Sequence, residues 1–149
     1  YNTNLINDMV VKKISLKNHL SELDMLVDLV NEFGNEAHLS DETIFDIRLA
    51  TEEVFTNVVS HGFKSPGDQL IHFTFKITDD HMSIIIIDNG KLFDIENVEK
   101  PDINLPMEKR KIGGLGLFLI YELMDEVIYN YDAGKNTMVF KKQLKSHSL

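Results

Sequence analysis

The order of the predicted strands and helices constrains the fold of this chain more than any single residue does. Hydrophobic spacing predicts a strand at 9–16, helices at 20–33 and 41–61, strands at 70–78 and 82–87, a helix at 116–124, and strands at 127–131 and 137–144. Helices placed before and after antiparallel pairs favour a two-layer α+β sandwich over a doubly wound parallel sheet.

Several residues indicate where these elements end and which strand is central. Gly34 is expected to stop the first helix, and Ser40 is expected to cap the second, with Asp41 and Glu42 in its positive first turn. The run 84–87 is apolar on both faces, which predicts a strand in the middle of its sheet.

Length and composition predict one domain over residues 1–149, with a net charge of -9 and no cysteine. The negative charge disfavours nucleic acid and anionic membranes as partners. The absence of cysteine excludes disulfides and thiolate metal sites and fits a cytoplasmic protein. No segment approaches the roughly 20 apolar residues that span a bilayer.

One long segment has no periodic pattern. Residues 89–112 contain Pro101 and Pro106, and a loop of this length inside a compact domain is usually functional or disordered. We interpret it as a lid over a site, covering about residues 91–112.

The first polar motif, Glu53-Val-Phe-Thr-Asn57, lies late in the second helix. Its two polar side chains are four residues apart, so they share one edge of the apolar stripe. An amide oxygen beside a carboxylate suits Mg²⁺, and the carboxylate could activate a nucleophile. The alternative is a solvated helix face without a function.

The second motif, Asp88-Asn89-Gly90, closes the apolar strand. A carboxylate at the end of a buried strand is costly unless it is paired, and an adenine amino group would pair it. Gly90 would let the base approach the backbone. The alternative is a tight hairpin, for which Asn-Gly is the usual signal.

The third motif, Gly113-Gly-Leu-Gly116, leads into a helix and offers free amides to phosphates. It lacks the Lys-Ser or Lys-Thr of a P-loop and the preceding strand of a Rossmann motif. The basic run 109–111 could reach a γ-phosphate or could simply be a solvated patch. The six histidines show no metal-ligand spacing.

With these motifs in this order, the chain resembles the GHKL (Bergerat-fold) ATPases, the superfamily of DNA gyrase, histidine kinases and MutL. It is most similar to the bacterial anti-sigma-factor serine/threonine kinases. The likeness covers about residues 10–144 and includes His61-Gly62, the stretch 123–127 and the hairpin 134–136. It implies a mixed, mostly antiparallel sheet of about five strands covered on one face by three helices, with an ATP lid.

The resemblance also implies roles for individual residues. Asn57 would bind Mg²⁺, Glu53 would be the general base, and Asp88 would accept from adenine beside Gly90. The cofactor-binding set is completed by Arg110, Gly113, Gly114, Leu115, Gly116 and Thr137. Gly114 and Gly116 would hold phosphates through their amides, and Arg110 is the nearest counterpart of a lid arginine. The usual pair of threonines near adenine is replaced by Asn136-Thr137.

The activity implied by the resemblance is an ATP- and Mg²⁺-dependent protein kinase that doubles as an anti-sigma factor. Such a kinase binds a sigma factor or a STAS-domain antagonist, which it phosphorylates on Ser or Thr, and it can form a homodimer. Two alternatives remain open: a nucleotide-gated partner-binding module without phosphotransfer, and a detached ATPase domain of a larger regulator.

Overall fold

The computed structural model describes residues 10–64, 67–92 and 114–144, with side chains in the last range described from 118 onward. In chain order the elements are β1 (Val11–Lys17), a 3-10 turn (Leu20–Glu22), α1 (Leu23–Glu36), α2 (Asp41–Asn57), a π-helical turn (Val58–Gly62), β2 (Leu70–Thr78), β3 (His81–Asp88), α3 (Gly114–Leu123), β4 (Glu126–Asp132) and β5 (Lys135–Gln143). The predicted strands and helices are all present, with shifts of a few residues at their ends. Most of the predicted lid lies outside the described residues.

The five strands form one sheet in the order β1-β2-β3-β5-β4. Every neighbouring pair is antiparallel, so the described sheet is purely antiparallel where a mixed one was expected. β3 and β4 run in the same direction, but β5 lies between them, so these two strands do not form a parallel pair. The central position of β3 confirms the interpretation of its apolar run.

Alternation along the strands gives the sheet two different faces. The inner face is buried and includes Phe73, Phe75, Ile84 and Phe140. The helices cover this face: the ring of Phe33 on α1 lies 5.5 Å from that of Phe75. The two-layer α+β architecture is therefore confirmed, and it places the end of β3 beside the end of α2.

The two long helices begin and pack for different local reasons. Ser40 caps α2, accepting a hydrogen bond from the Thr43 amide at 3.1 Å, as predicted. The prediction that Gly34 ends α1 is wrong, because α1 continues to Glu36. A Cβ on Gly34 would lie 2.4 Å from Cγ1 of Ile44, so this glycine lets α1 and α2 approach closely.

Candidate functional site

Asn57, the last residue of α2, is buried with 5 % of its surface exposed. Its Nδ2 donates a hydrogen bond to the backbone carbonyl of Glu53 at 2.8 Å. The amide nitrogen is thereby tied to the helix, and Oδ1 has no hydrogen-bond donor among the described residues. An oxygen presented in this way fits the ligand chemistry of Mg²⁺.

Glu53 lies one turn earlier on α2 and is half-buried. Burial raises the pKa of its carboxyl group above the ordinary value, and repulsion from neighbouring Glu52 raises it further. A carboxylate with a raised pKa is a better proton acceptor than one in water. The side chain is therefore suited to act as a general base.

The helix does not stop at Asn57 but continues into the π-helical turn, which ends at Gly62. The carbonyl oxygen of Gly62 accepts a hydrogen bond from the backbone amide of Lys91 at 2.9 Å. The backbone at Gly90 is so close that a Cβ there would lie 2.7 Å from the same oxygen. The π-helical turn that follows the first motif therefore contacts the second motif through its backbone.

Asp88 ends β3 with only 6 % of its surface exposed. Its Oδ1 accepts hydrogen bonds from the Gly90 amide at 2.8 Å and from Nδ2 of Asn136 at 3.0 Å. Burial raises the pKa of this carboxyl group, and the two hydrogen bonds oppose the rise. Its Oδ2 has no donor among the described residues and is available to a ligand.

Asn136 is the residue that the sequence reasoning missed at this site. It pairs with Asp88 across the β3–β5 ladder and is 4 % exposed. Thr137 pairs with Ile87 and, by alternation, points to the other face of the sheet. The structure therefore brings Asn136, and not Thr137, to Asp88. The alternation of Asn136 with buried Met138 and Phe140 was a signal that could have revealed it.

The glycine motif lies at the start of α3, which begins at Gly114 rather than at Gly116. The backbone amides of Gly114, Leu115 and Gly116 fall in the first turn, where N–H groups have no partner within the helix. Gly113 and Arg110 lie outside the described residues.

The far end of α3 is fixed by Lys142 on β5. Its Nζ donates to the carbonyl oxygen of Leu123 at 2.8 Å and lies 3.7 Å from the carboxylate of Asp46 on α2. These contacts tie α3 to both α2 and β5, so the glycine turn is presented from an anchored helix.

Two further findings concern metals and membranes. No group of three or more His, Asp or Glu side chains in the described ranges could hold a metal ion. None of the described helices is long and apolar enough to cross a membrane.

The fold and the three ordered motifs define the class of Bergerat-fold ATPase domains. The comparison with known families agrees: the model of the histidine kinase-like ATPase domain matches residues 16–142. The chain belongs to this family, which confirms the resemblance inferred from the motifs.

Sequence comparison with individual proteins shows which members of this family the chain resembles. The chain is 38 % identical over 112 residues to a protein named serine-protein kinase RsbW from Listeria monocytogenes, a match that covers 72 % of this chain and 71 % of that protein. It is 37 % identical to the protein of that name from Oceanobacillus iheyensis, with the same coverage. The corresponding Bacillus cereus protein is 33 % identical, over 72 % of this chain and 69 % of its own length.

A solved structure supports the fold. The crystal structure of the RsbU and RsbW domains of a Mycobacterium tuberculosis protein superimposes with a TM-score of 0.67 over 91 % of this chain. The sequence identity is 19 %, and the match spans 32 % of that longer chain. This likeness is evidence for the architecture alone.

Proposed function

We propose that this protein binds ATP with Mg²⁺ and transfers the γ-phosphoryl group to a serine or threonine of a protein partner. The single observation that carries the proposal is the hydrogen bond between the Lys91 amide and the Gly62 carbonyl. It ties the turn that follows Asn57 to the loop that follows Asp88, which supports one bound nucleotide contacting both motifs.

The nucleotide base is assigned to the end of β3. Oδ2 of Asp88 accepts the hydrogen bond of the adenine amino group, and the bare backbone at Gly90 leaves room for the ring. The phosphates are assigned to the first turn of α3, where the amides of Gly114, Leu115 and Gly116 are unpaired within the helix. Gly113 and Arg110 are proposed to extend this phosphate contact, on the resemblance alone.

The reacting end is assigned to α2. Oδ1 of Asn57 would hold Mg²⁺, and the metal would supply neutralisation of the charge on the phosphates. Glu53 takes the proton of the attacking hydroxyl. The hydroxyl oxygen then forms its bond to the γ-phosphorus, the bond from that phosphorus to the bridging oxygen breaks, and ADP leaves.

The names of the relatives support a protein substrate that is phosphorylated on serine. A protein named serine-protein kinase RsbW from Listeria monocytogenes is 38 % identical to this chain. We propose that this chain is likewise a serine-protein kinase, that its substrate is a STAS-domain antagonist phosphorylated on Ser or Thr, and that it binds a sigma factor when the antagonist is absent. The protein and these two partners would be located in the cytoplasm, where transcription takes place.

A matched pair of neighbouring acids on α2 tests the chemistry. We would measure transfer of radiolabelled γ-phosphate from ATP to a purified STAS-domain antagonist. Glu53→Gln should bind ATP with unchanged affinity and lose at least about 100-fold in transfer, since general bases contribute factors of about 10²–10⁴. Glu52→Gln, which removes the adjacent carboxylate that pairs with Arg48, should retain transfer.

Two other results would redirect the proposal. Equal transfer by Glu53→Gln and the wild type would remove Glu53 from the mechanism. If the wild type binds ATP and the antagonist but transfers no phosphate, the nucleotide-gated binding module would replace the kinase.

A further inference from the structure

The side chain of Asn136 has more polar partners than a buried residue needs for its own satisfaction. Its Nδ2 lies 3.0 Å from Oδ1 of Asp88, 3.1 Å from the carbonyl oxygen of Gly90 and 3.0 Å from the carbonyl oxygen of Lys91. One amide group thus contacts both the carboxylate and the backbone of the loop that follows β3. The Nδ2 group has two protons, so three acceptors are one more than its own satisfaction requires.

The orientation of this amide is itself fixed by a second side chain. The hydroxyl of Tyr129 on β4 donates a hydrogen bond to Oδ1 of Asn136. If the amide were flipped, its oxygen would face the carboxylate of Asp88 and two carbonyl oxygens, all of which are acceptors. The amide is therefore held in the one orientation that donates towards Asp88.

This network fixes which carboxylate oxygen of Asp88 remains available. Oδ1 is occupied by the Gly90 amide and by Asn136, and rotation of the carboxylate would sacrifice both hydrogen bonds. Oδ2 is left as the acceptor for a ligand. An acceptor that is already oriented loses little entropy when the ligand binds, so it discriminates more strongly between ligands with and without a matching donor.

We propose that Asn136 is a positioning residue for base selection: through Asp88 it sets the preference of the site for a purine that carries an exocyclic amino group at C6. This inference rests on the proposed function, because it assumes that Asp88 contacts the base. It concerns selectivity among nucleotides, whereas Glu53 and Asn57 serve the phosphoryl transfer.

The test compares ATP with inosine triphosphate, which has an oxygen in place of the adenine amino group. The dissociation constants of both nucleotides would be measured by titration calorimetry. A hydrogen bond to a charged acceptor changes affinity by about tenfold or more, so the wild type should prefer ATP by at least about tenfold. In Asn136→Ala we expect this preference to fall below about threefold, mainly through weaker ATP binding.

Two further variants separate positioning from folding. Tyr129→Phe removes one hydroxyl and keeps the ring, so it should fold and show a preference between those of the wild type and Asn136→Ala. Asn130→Ala removes an exposed asparagine from the same strand as Tyr129 and should leave the preference unchanged. Thermal melting of all four proteins would show that the binding data refer to folded protein.

The outcomes distinguish this inference from the proposed function. If Asn136→Ala and Tyr129→Phe weaken both nucleotides by the same factor, or keep the wild-type preference, Asn136 has only a structural role and the inference is overturned. If the wild type itself binds no ATP, or binds both nucleotides equally, the assignment of Asp88 to the base fails instead.

Discussion

Gly90 is the position where the structure predicts the largest effect from the smallest change. A Cβ at this residue would lie 2.7 Å from the carbonyl oxygen of Gly62, 3.1 Å from its carbonyl carbon and 3.0 Å from Oδ1 of Asp88. Two of these three atoms belong to the backbone and cannot turn away as the end of a flexible side chain can. Gly90→Ala must therefore separate the loop after β3 from the π-helical turn.

The size of the effect follows from that separation. Ordinary contact begins at 3.4 Å, so the backbones must move apart by about 0.7 Å. The hydrogen bond from the Lys91 amide to Gly62, now 2.9 Å, would lengthen to about 3.6 Å and would no longer count as a bond. Losing it and straining the contacts of Asn136 should cost about 2 kcal/mol of unfolding free energy. For a chain of this length, that is a fall in Tm of about 4–8 °C.

The assay is thermal unfolding followed by circular dichroism, with Gly67→Ala as the matched control. A Cβ on Gly67 would have Asn18 Oδ1 at 3.9 Å as its nearest neighbour, so that variant should melt within about 1 °C of the wild type or slightly above it. ATP affinity of Gly90→Ala should also fall, because the two motifs move apart. A Gly90→Ala protein that melts and binds ATP like the Gly67→Ala control would refute this account of the close approach.

Three further predictions concern the two acids and the helix contact. Burial and repulsion from Glu52 raise the pKa of Glu53. The rate of phosphate transfer should therefore increase with pH, and the midpoint of this increase should lie above pH 4.5. Glu52→Gln should move that midpoint to lower pH. The raised pKa of Asp88 means that the folded state holds its proton more tightly than the unfolded chain does. Stability of the ligand-free protein should therefore decline as pH rises from about 3.8 through the folded-state pKa of Asp88. Asp88→Asn should melt at a higher temperature than the wild type at pH 7, and this difference should vanish near pH 4. The same variant should lose ATP binding. Gly34→Ala should lower Tm although alanine favours helices by about 1 kcal/mol relative to glycine. Adding Ile44→Ala should remove this penalty, since Cβ of Ile44 lies 3.5 Å from a Cβ placed on Gly34. Melting curves of the single and double variants would check this, and additive effects of the two substitutions would contradict it.

The features that sequence reasoning predicted well depend on local patterns. Ser40 caps α2 because its hydroxyl contacts an amide three residues away, and β3 is central because both of its faces are apolar. The motifs around Asn57 and Asp88 were also recognised from short spacings, and the roles given to them are proposals. In each case the physical cause lies within a few residues of the signal.

The features that sequence reasoning missed depend on contacts between residues that are distant in the chain. Asn136 contacts Asp88 and the Gly90 carbonyl across 48 and 46 residues, and its face of the sheet is set by the β3–β5 register. That register also turns Thr137 away from Asp88. The β4–β5 turn, with Ala133 and Gly134 at φ 51° and 79°, helps to fix it. Gly34 was misread for a similar reason, because glycine serves both helix ends and close helix contacts.

The most direct test of the central claim is isothermal titration of the protein with ATP in the presence and absence of Mg²⁺, repeated with Asn57→Ala. The wild type is expected to bind ATP more tightly with Mg²⁺, and Asn57→Ala is expected to lose this gain while keeping its metal-free affinity. The absence of ATP binding under both conditions, or equal affinity with and without Mg²⁺, would contradict the nucleotide and metal site proposed here.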